Sequence, residues 1–201
     1  MATPSQGSAT LISAVLWRRI DVPAYEHSRL LEFSDGYIID GRVITVLDSR
    51  PAEAHYAVVC DHGWATRRVL VTLLQGSETR RIDIRRDEHA QWWQDDEIRP
   101  ELEGLVDIDL SLTPATNTLP IRRLALGMGG SMAVTAVWVR FPQLIVEPLP
   151  QRYTRMTESR YRYESDGGAF TALLDVDGAG VVVRYGDIWE RLAPFPSQSR
   201  A

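Results

Sequence analysis

The sequence predicts an all-β fold, in which many antiparallel strands form a meander that curls into a barrel-like or half-barrel sheet. Apolar and polar residues alternate with a period of two along most of the chain, and no long stretch has the 3.6-residue period of an amphipathic helix. Turn-forming pairs such as Asp35-Gly36 and Asp177-Gly178 separate these runs. A flat sheet of this kind would expose long edges, which curling or closing the sheet removes.

The individual strands are predicted from the alternating runs between turn signals. The segment 87–103 is acidic, contains two adjacent tryptophans, and is predicted to be a loop or one short helix. The predicted strands are 12–17, 26–34, 36–47, 54–61, 64–74, 79–85, 105–111, 121–127, 133–141, 143–149, 151–157, 159–165, 169–176 and 180–186.

The length of 201 residues suits a single domain, 1–201, and 44% hydrophobic residues are enough for a sizeable core. Residues 31–33 resemble 139–141, and residues 56–61 resemble 170–175 in the same order. Two quasi-repeated halves, 12–86 and 105–192, would account for this order. The alternative, that these segments are similar only because all of them have the general pattern of a β-strand, stays open.

Composition and charge exclude several classes of protein. A net charge of −5 argues against a nucleic-acid-binding protein, which usually needs a basic face. No apolar run approaches the roughly 20 residues that span a bilayer, so we expect no integral membrane insertion. Cys60 is the only cysteine, which precludes an intrachain disulfide and suits a reducing compartment. With no signal peptide recognised, we predict a cytoplasmic location.

The most informative stretch is 105–126, LVDIDLSLTPATNTLPIRRLAL. In its first part Asp107 and Asp109 face one side of the predicted strand, and Ile108 and Leu110 face the other. Two carboxylates on one face repel each other unless cations or hydrogen-bond donors lie between them. The arginine pairs 67–68 and 122–123 could supply one inward cation each, if both pairs lie on strands.

The core of this stretch, TPATNTLPIRRL, resembles the signature of the bacterial "Putative glycolipid-binding" family, which began as an uncharacterised-domain family. Weaker similarities to the family extend from about Trp17 to Trp189, and the sequence departs from it at Ala115 and just before Glu26. The resemblance implies an antiparallel all-β fold, likened to the concave sheets of lipoprotein carriers. It also implies a glycolipid ligand, by analogy of fold.

The leading hypothesis is therefore a protein that binds a small molecule or glycolipid in an interior cavity or groove, because polar and aromatic side chains together suit an amphipathic ligand. We expect Tyr161 and Tyr163 to point inward, and Arg160 and Arg162 outward. Arg67, Arg122 and Asn117 are predicted to bind the polar end of the ligand, Asp107 and Asp109 to hold the arginines or accept sugar hydroxyls, and Trp64, Trp138 and Tyr153 to contact the ring or apolar part.

Two other hypotheses stay open. The Asp107/Asp109 pair could serve a hydrolase or isomerase acting on a sugar or lipid conjugate, since same-face neighbours on a strand lie about 6.5–7 Å apart. The chain could also be a scaffold or an oligomer without a small ligand. The binding hypothesis is preferred because several arginines and no other catalytic signature accompany the pair. No metal or cofactor is predicted, since the histidines lack zinc-ligand spacing and no phosphate-binding loop is present.

Overall fold

The computed structural model describes residues 9–194, which form one mixed sheet of fifteen strands. The strands are β1 Thr10–Arg19, β2 Ala24–Phe33, β3 Gly36–Leu47, β4 Arg50–Cys60, β5 Thr66–Gln75, β6 Glu78–Arg86, β7 Trp92–Gln94, β8 Glu97–Ile98, β9 Asp107–Leu110, β10 Ser131–Arg140, β11 Ile145–Arg155, β12 Arg160–Ser165, β13 Phe170–Val176, β14 Val182–Tyr185 and β15 Trp189–Pro194. One α-helix, α1 Thr118–Leu124, and three 3₁₀ turns, Pro100–Leu102, Ala115–Asn117 and Asp166–Gly168, complete the described secondary structure.

The strand order is that of two meanders joined through the first and last strands. Strands β1 to β8 are consecutive neighbours, β1 pairs with β15, and β15 to β10 continue in reverse order. Only β9, which lies at the end of the sheet beside β10, pairs in parallel. The predicted all-β, curled and predominantly antiparallel sheet is confirmed.

The sheet curls until strands from its two ends touch. The backbone N–H of Thr66 on β5 donates to the carbonyl of Val106, just before β9, at 3.1 Å. The guanidinium of Arg80 on β6 donates to the Pro142 carbonyl at 2.8 Å, and that of Arg99 donates to the Val146 carbonyl at 2.7 Å. We call these contacts the seam, because they join the β5–β8 end of the sheet to β9–β11.

The interior of the curl is partly filled by residues 112–124, which we call the inner segment. Every residue from 112 to 121 is buried. Its Ala115 and Thr118 face Trp17 and Leu30 of the first two strands across a void of about 10 Å³, hardly larger than one water. The β1–β5 half of the interior is therefore packed, and the open space lies on the β10–β15 side.

The prediction of a strand over 121–127 is wrong, because helix α1 occupies most of that range. Pro120 lies in its first turn, where a missing N–H does not remove a helical hydrogen bond. The helix ends at Ala125, whose φ of 44° is left-handed. Because residues 112–121 are buried on all sides, neither a two-residue nor a 3.6-residue alternation of polarity is visible there.

Two smaller predictions also need correction. The strands predicted at 143–149 and 151–157 are one strand, β11, which accommodates Pro148 and Pro150 because β12 pairs with β11 only from Gln151 onward. The segment 87–103, predicted to be a loop or one short helix, instead holds the short strands β7 and β8 as well as a 3₁₀ turn. The inward orientation of Tyr161 and Tyr163 is confirmed, since both are buried while Arg160 and Arg162 are exposed.

Candidate ligand-binding site

A cavity of about 680 Å³ lies between the inner segment and the concave face of β10–β15. Trp138 on β10 and Trp189 on β15 both line it, although four strands separate β10 from β15 in the sheet. The curl of the sheet therefore sets the two indoles on opposite walls. Phe170 and Asp166 are exposed at one side, so the cavity is open to solvent. The volume suits a drug-sized ligand.

Aromatic rings form the wall that faces the inner segment. Tyr163, Phe170 and Tyr185 are mutual neighbours, with ring centroids 6.0 to 6.2 Å apart. They come from β12, β13 and β14, whose inward-facing positions lie side by side. A ligand in the cavity would meet a continuous aromatic surface, which suits either an acyl chain or the apolar face of a sugar ring.

Each tryptophan at the cavity is covered by an arginine that already has an acidic partner. The Arg140 guanidinium lies 5.4 Å from the Trp138 ring centroid and its Nε lies 3.1 Å from Glu147. On the other wall, the Arg19 guanidinium lies 5.8 Å from the Trp189 ring centroid and bonds to Asp21 at 2.7 Å. These cations stabilise the tryptophan orientations, and their charges are compensated.

Asp109 is one of the carboxylates that line the cavity. Gln151 Nε2 donates to its Oδ2 at 2.5 Å, and the Tyr163 hydroxyl donates to the same oxygen at 3.4 Å. Within residues 9–194 no arginine or histidine forms an ion pair with Asp109, and its Oδ1 has no hydrogen-bond partner. Burial raises the pKa of Asp109 to about 6, although the bonds from Gln151 and Tyr163 act in the opposite direction.

Behind Asp109 a chain of hydrogen bonds fixes the cavity floor. The Tyr153 hydroxyl donates to Asn117 Oδ1 at 2.9 Å and lies 3.5 Å from Gln151 Oε1. The Asn117 amide donates in turn to the Pro114 carbonyl at 3.1 Å. Both polar atoms of the Asn117 side chain are thus used within the protein. Its role is to connect the inner segment to β11 and so to hold Gln151 against Asp109.

A second buried acid lies beyond the inner segment. Glu26 on β2 is fully buried, and its Oε1 accepts hydrogen bonds from the hydroxyls of Tyr56 and Thr113, the latter at 2.7 Å. Thr113 also lines the cavity, so this acid lies one side chain behind the cavity wall. Its Oε2 has no partner within the described chain. Burial raises the pKa of Glu26 to about 8.

The structure brings three of the eight predicted site residues to the cavity, namely Asp109, Asn117 and Trp138. Tyr153 lies directly beneath it. Asp107 points elsewhere: it is 1% exposed and forms a two-pronged ion pair with Arg123, at 2.9 and 2.6 Å.

The other three predicted residues lie away from the cavity. The Arg122 guanidinium covers Trp64 at 5.1 Å, and Trp64 stacks on Tyr37 at 4.0 Å between ring centroids. Arg67 lies at the surface near Asp61, with an N–O separation of 3.7 Å.

Several residues that line or support the cavity were not predicted. Tyr163 was expected to point inward but was not assigned to the site. Phe170, Tyr185, Trp189 and Gln151 carried no local motif, because any strand of a β protein can hold an inward aromatic or amide. The pairing of β1 with β15 brings Trp189 to the cavity, and nothing in the local sequence indicates that pairing.

The comparisons with known proteins agree with the signature in the inner segment. The family model described as "Putative glycolipid-binding" matches residues 14–191. The chain belongs to this family. The recognition from TPATNTLPIRRL is thereby confirmed, and the match extends over nearly the whole chain.

This glycolipid-binding family member also resembles a solved structure. A crystal structure of a DUF1089 family protein from Pseudomonas aeruginosa shares 29% sequence identity with it and superposes with a TM-score of 0.77. The similarity covers 88% of this chain and 95% of the Pseudomonas chain. No curated protein matches significantly.

The described residues contain neither a membrane-spanning helix nor a cluster of metal-ligand side chains. No helix within residues 9–194 is long and apolar enough to cross a bilayer. In the same range, no three acidic, histidine or cysteine side chains cluster as metal ligands would.

Proposed function

We propose that this protein binds an amphipathic small molecule of the glycolipid class in the cavity between the inner segment and β10–β15. The observation that carries the proposal is the coexistence, in one cavity of about 680 Å³, of a half-buried carboxylate without a cationic partner in the described chain and a continuous aromatic wall. Such a site can bind a polar headgroup through the carboxylate and an apolar portion through the rings. The family description points to the same ligand class.

The lining offers contacts to both parts of such a ligand. Ser111 and Ser165 line the cavity with Asp109 and offer hydroxyls to a headgroup. The apolar portion would rest on the rings of Tyr185 and of Phe170, which lies opposite Ser165 in the β12–β13 pair. A location in the cytoplasm stays a prediction.

The hydrolase hypothesis receives less support from this geometry. A pair of acidic residues acting on a glycosidic bond must both face the substrate. Asp107 is instead held by Arg123 and does not line the cavity, so Asp109 faces it without that partner. Binding, and not hydrolysis by this pair, is the function that the arrangement favours.

Isothermal titration with alkyl glycosides below their micellar concentration tests the proposal. Leu149, half-buried on the cavity wall, is replaced by tryptophan to fill the space, and Leu173, on the outer face of β13, receives the same substitution as a matched control. We expect Leu149→Trp to weaken binding by about tenfold or more and Leu173→Trp to leave it unchanged. Equal binding by both variants would place the ligand elsewhere, and no binding by the native protein would refute the function.

A further inference from the structure

Asp109 sets a condition on the charge of the ligand. Its Oδ2 is occupied by Gln151 and Tyr163, whereas its Oδ1 has no partner within residues 9–194. A carboxylate oxygen in a low-dielectric site gains most from a hydrogen-bond donor and repels another anion. The ligand atom that meets Asp109 must therefore carry a hydrogen.

The remaining charges of the cavity reinforce this condition. Its lining contains two guanidiniums, Arg19 and Arg140, and three carboxylates, Asp109, Glu147 and Asp166. Arg140 lies beside Glu147, and Arg19 bonds to Asp21. Both arginines therefore have an acidic neighbour, and a bound phosphate, sulfate or carboxylate would add negative charge to a lining that already has more carboxylates than guanidiniums.

The rings around Asp109 suit a pyranose, whose apolar face can lie on them. Tyr163 donates to Asp109 and also belongs to the aromatic group with Phe170 and Tyr185. A pyranose can place its hydroxyls toward the carboxylate while its apolar face lies on the rings. An ammonium group would also bond to the carboxylate and could contact the ring faces, so an alkylammonium is the rival probe in the test below.

We propose, on the basis of the function proposed above, that the cavity selects an uncharged, hydroxyl-bearing headgroup. Asp109 Oδ1 accepts a hydrogen bond from this headgroup, and anionic headgroups are excluded. Asp109 is thereby the specificity-determining residue of the site. Ser111 and Ser165, which can both donate and accept, complete the contacts to the hydroxyls.

The test compares three probes with the same chain: octyl β-D-glucoside, octyl sulfate and octylammonium, each titrated below its micellar concentration into the native protein. We expect the glucoside to bind, and the sulfate to bind at least about tenfold more weakly. In the Asp109→Asn variant the affinity for the glucoside should fall by about fivefold or more, and the preference for the glucoside over the sulfate should largely disappear. The control Asp166→Asn removes an equal charge from the lining, at an exposed residue with no arginine partner among those described, and should keep the preference.

The outcomes separate the two proposals. If none of the three probes binds the native protein, the proposed function fails and this inference fails with it. If the sulfate binds as tightly as the glucoside, or octylammonium binds more tightly, the cavity still binds amphiphiles but the selection for an uncharged headgroup is refuted. Loss of the preference in Asp166→Asn as well would refute the role of Asp109. The native comparison decides the selectivity even if Asp109→Asn fails to fold.

Discussion

At the scale of single residues, the interior holds an acid whose ionisation opposes folding. Glu26 has hydrogen-bond donors on Oε1 but no partner on Oε2 within the described chain, and its pKa is raised to about 8. In the unfolded chain the same carboxyl ionises near 4.5. Between these values the unfolded state binds fewer protons than the folded state, so this residue lowers stability as the pH rises from about 4.5 to about 8.

Glu26→Gln, which mimics the protonated acid, should remove this pH dependence. Between pH 6 and 9 we expect the variant to gain stability over the native protein, by a few kcal/mol at the upper end, since each pKa unit is worth about 1.4 kcal/mol. Urea unfolding at several pH values measures the difference. Glu32→Gln, an exposed position on the same strand, is the control. A constant difference between Glu26→Gln and the native protein across this range would contradict the assignment.

Gly41 shows why a strand interior can require a glycine. It pairs with Tyr56, whose ring lies across it so that the hydroxyl reaches Glu26. A Cβ at Gly41 would come within 2.3 Å of the Tyr56 ring. Gly41 and its neighbour Asp40 lie within the uninterrupted strand β3.

Gly41→Ala is therefore expected to destabilise the protein by about 1–3 kcal/mol through overpacking. Thermal unfolding measures the loss. Gly127→Ala, where an added Cβ meets nothing within 4 Å, is the matched control and should change stability by less than about 0.5 kcal/mol. Similar losses in both variants would show that the Tyr56 ring moves aside without cost.

At the scale of elements, the inner segment is fastened to strand β9 by one ion pair. Asp107 is 1% exposed, and both of its oxygens accept from Arg123 on α1. The neighbouring Arg122 is exposed and covers Trp64 instead. Adjacent residues of the same type thus have different environments, because they project from different sides of a helix.

Arg123→Gln should cost about 3–5 kcal/mol, since it leaves a buried carboxylate without its cation. Arg122→Gln should cost no more than about 1 kcal/mol, the range of an exposed cation–π contact. Chemical denaturation of both variants at pH 7 makes the comparison. Equal losses would mean that the ion pair does not hold the inner segment in place.

The regular strands could be predicted from the sequence, whereas the secondary structure of the completely buried inner segment could not. Strands β2 to β6 were recognised because one face is polar and the other apolar, as at Leu30 and Arg29. The inner segment has no polar face, so its helix could not be read from periodicity. Of the site, the sequence indicated Asp109, Asn117 and Trp138, which lie in or beside the family signature or on a clear strand. Tyr185 and Trp189 could not be assigned, because only tertiary pairing brings them to the cavity.

At the scale of the whole molecule, we expect the proposed ligand binding to depend on the contacts that hold the two ends of the curled sheet together. Glu147 and Leu149 on the cavity wall belong to β11, whose first residues receive the Arg99 contact of the seam. The seam is therefore part of the structure that supports the cavity wall, although Arg80 and Arg99 do not line the cavity. Loosening the seam should therefore change ligand binding, although no residue that lines the cavity is replaced.

The double variant Arg80→Ala/Arg99→Ala removes two guanidinium–carbonyl bonds of the seam, each worth about 1.5 kcal/mol as a charge-assisted bond. Because the β10–β11 pairing remains, we expect the chain to fold, with faster amide exchange over residues 141–147 and faster dissociation of octyl β-D-glucoside. Arg81→Ala, at an exposed position on β6 that forms no ion pair among the residues described, is the control for loss of an arginine. Hydrogen exchange with mass spectrometry measures the first effect and stopped-flow dilution the second. If exchange increases while dissociation is unchanged, the cavity wall is held by the sheet alone. If neither changes, the curl closes without the seam, and the shape of the cavity is set by the inner segment against which the sheet packs.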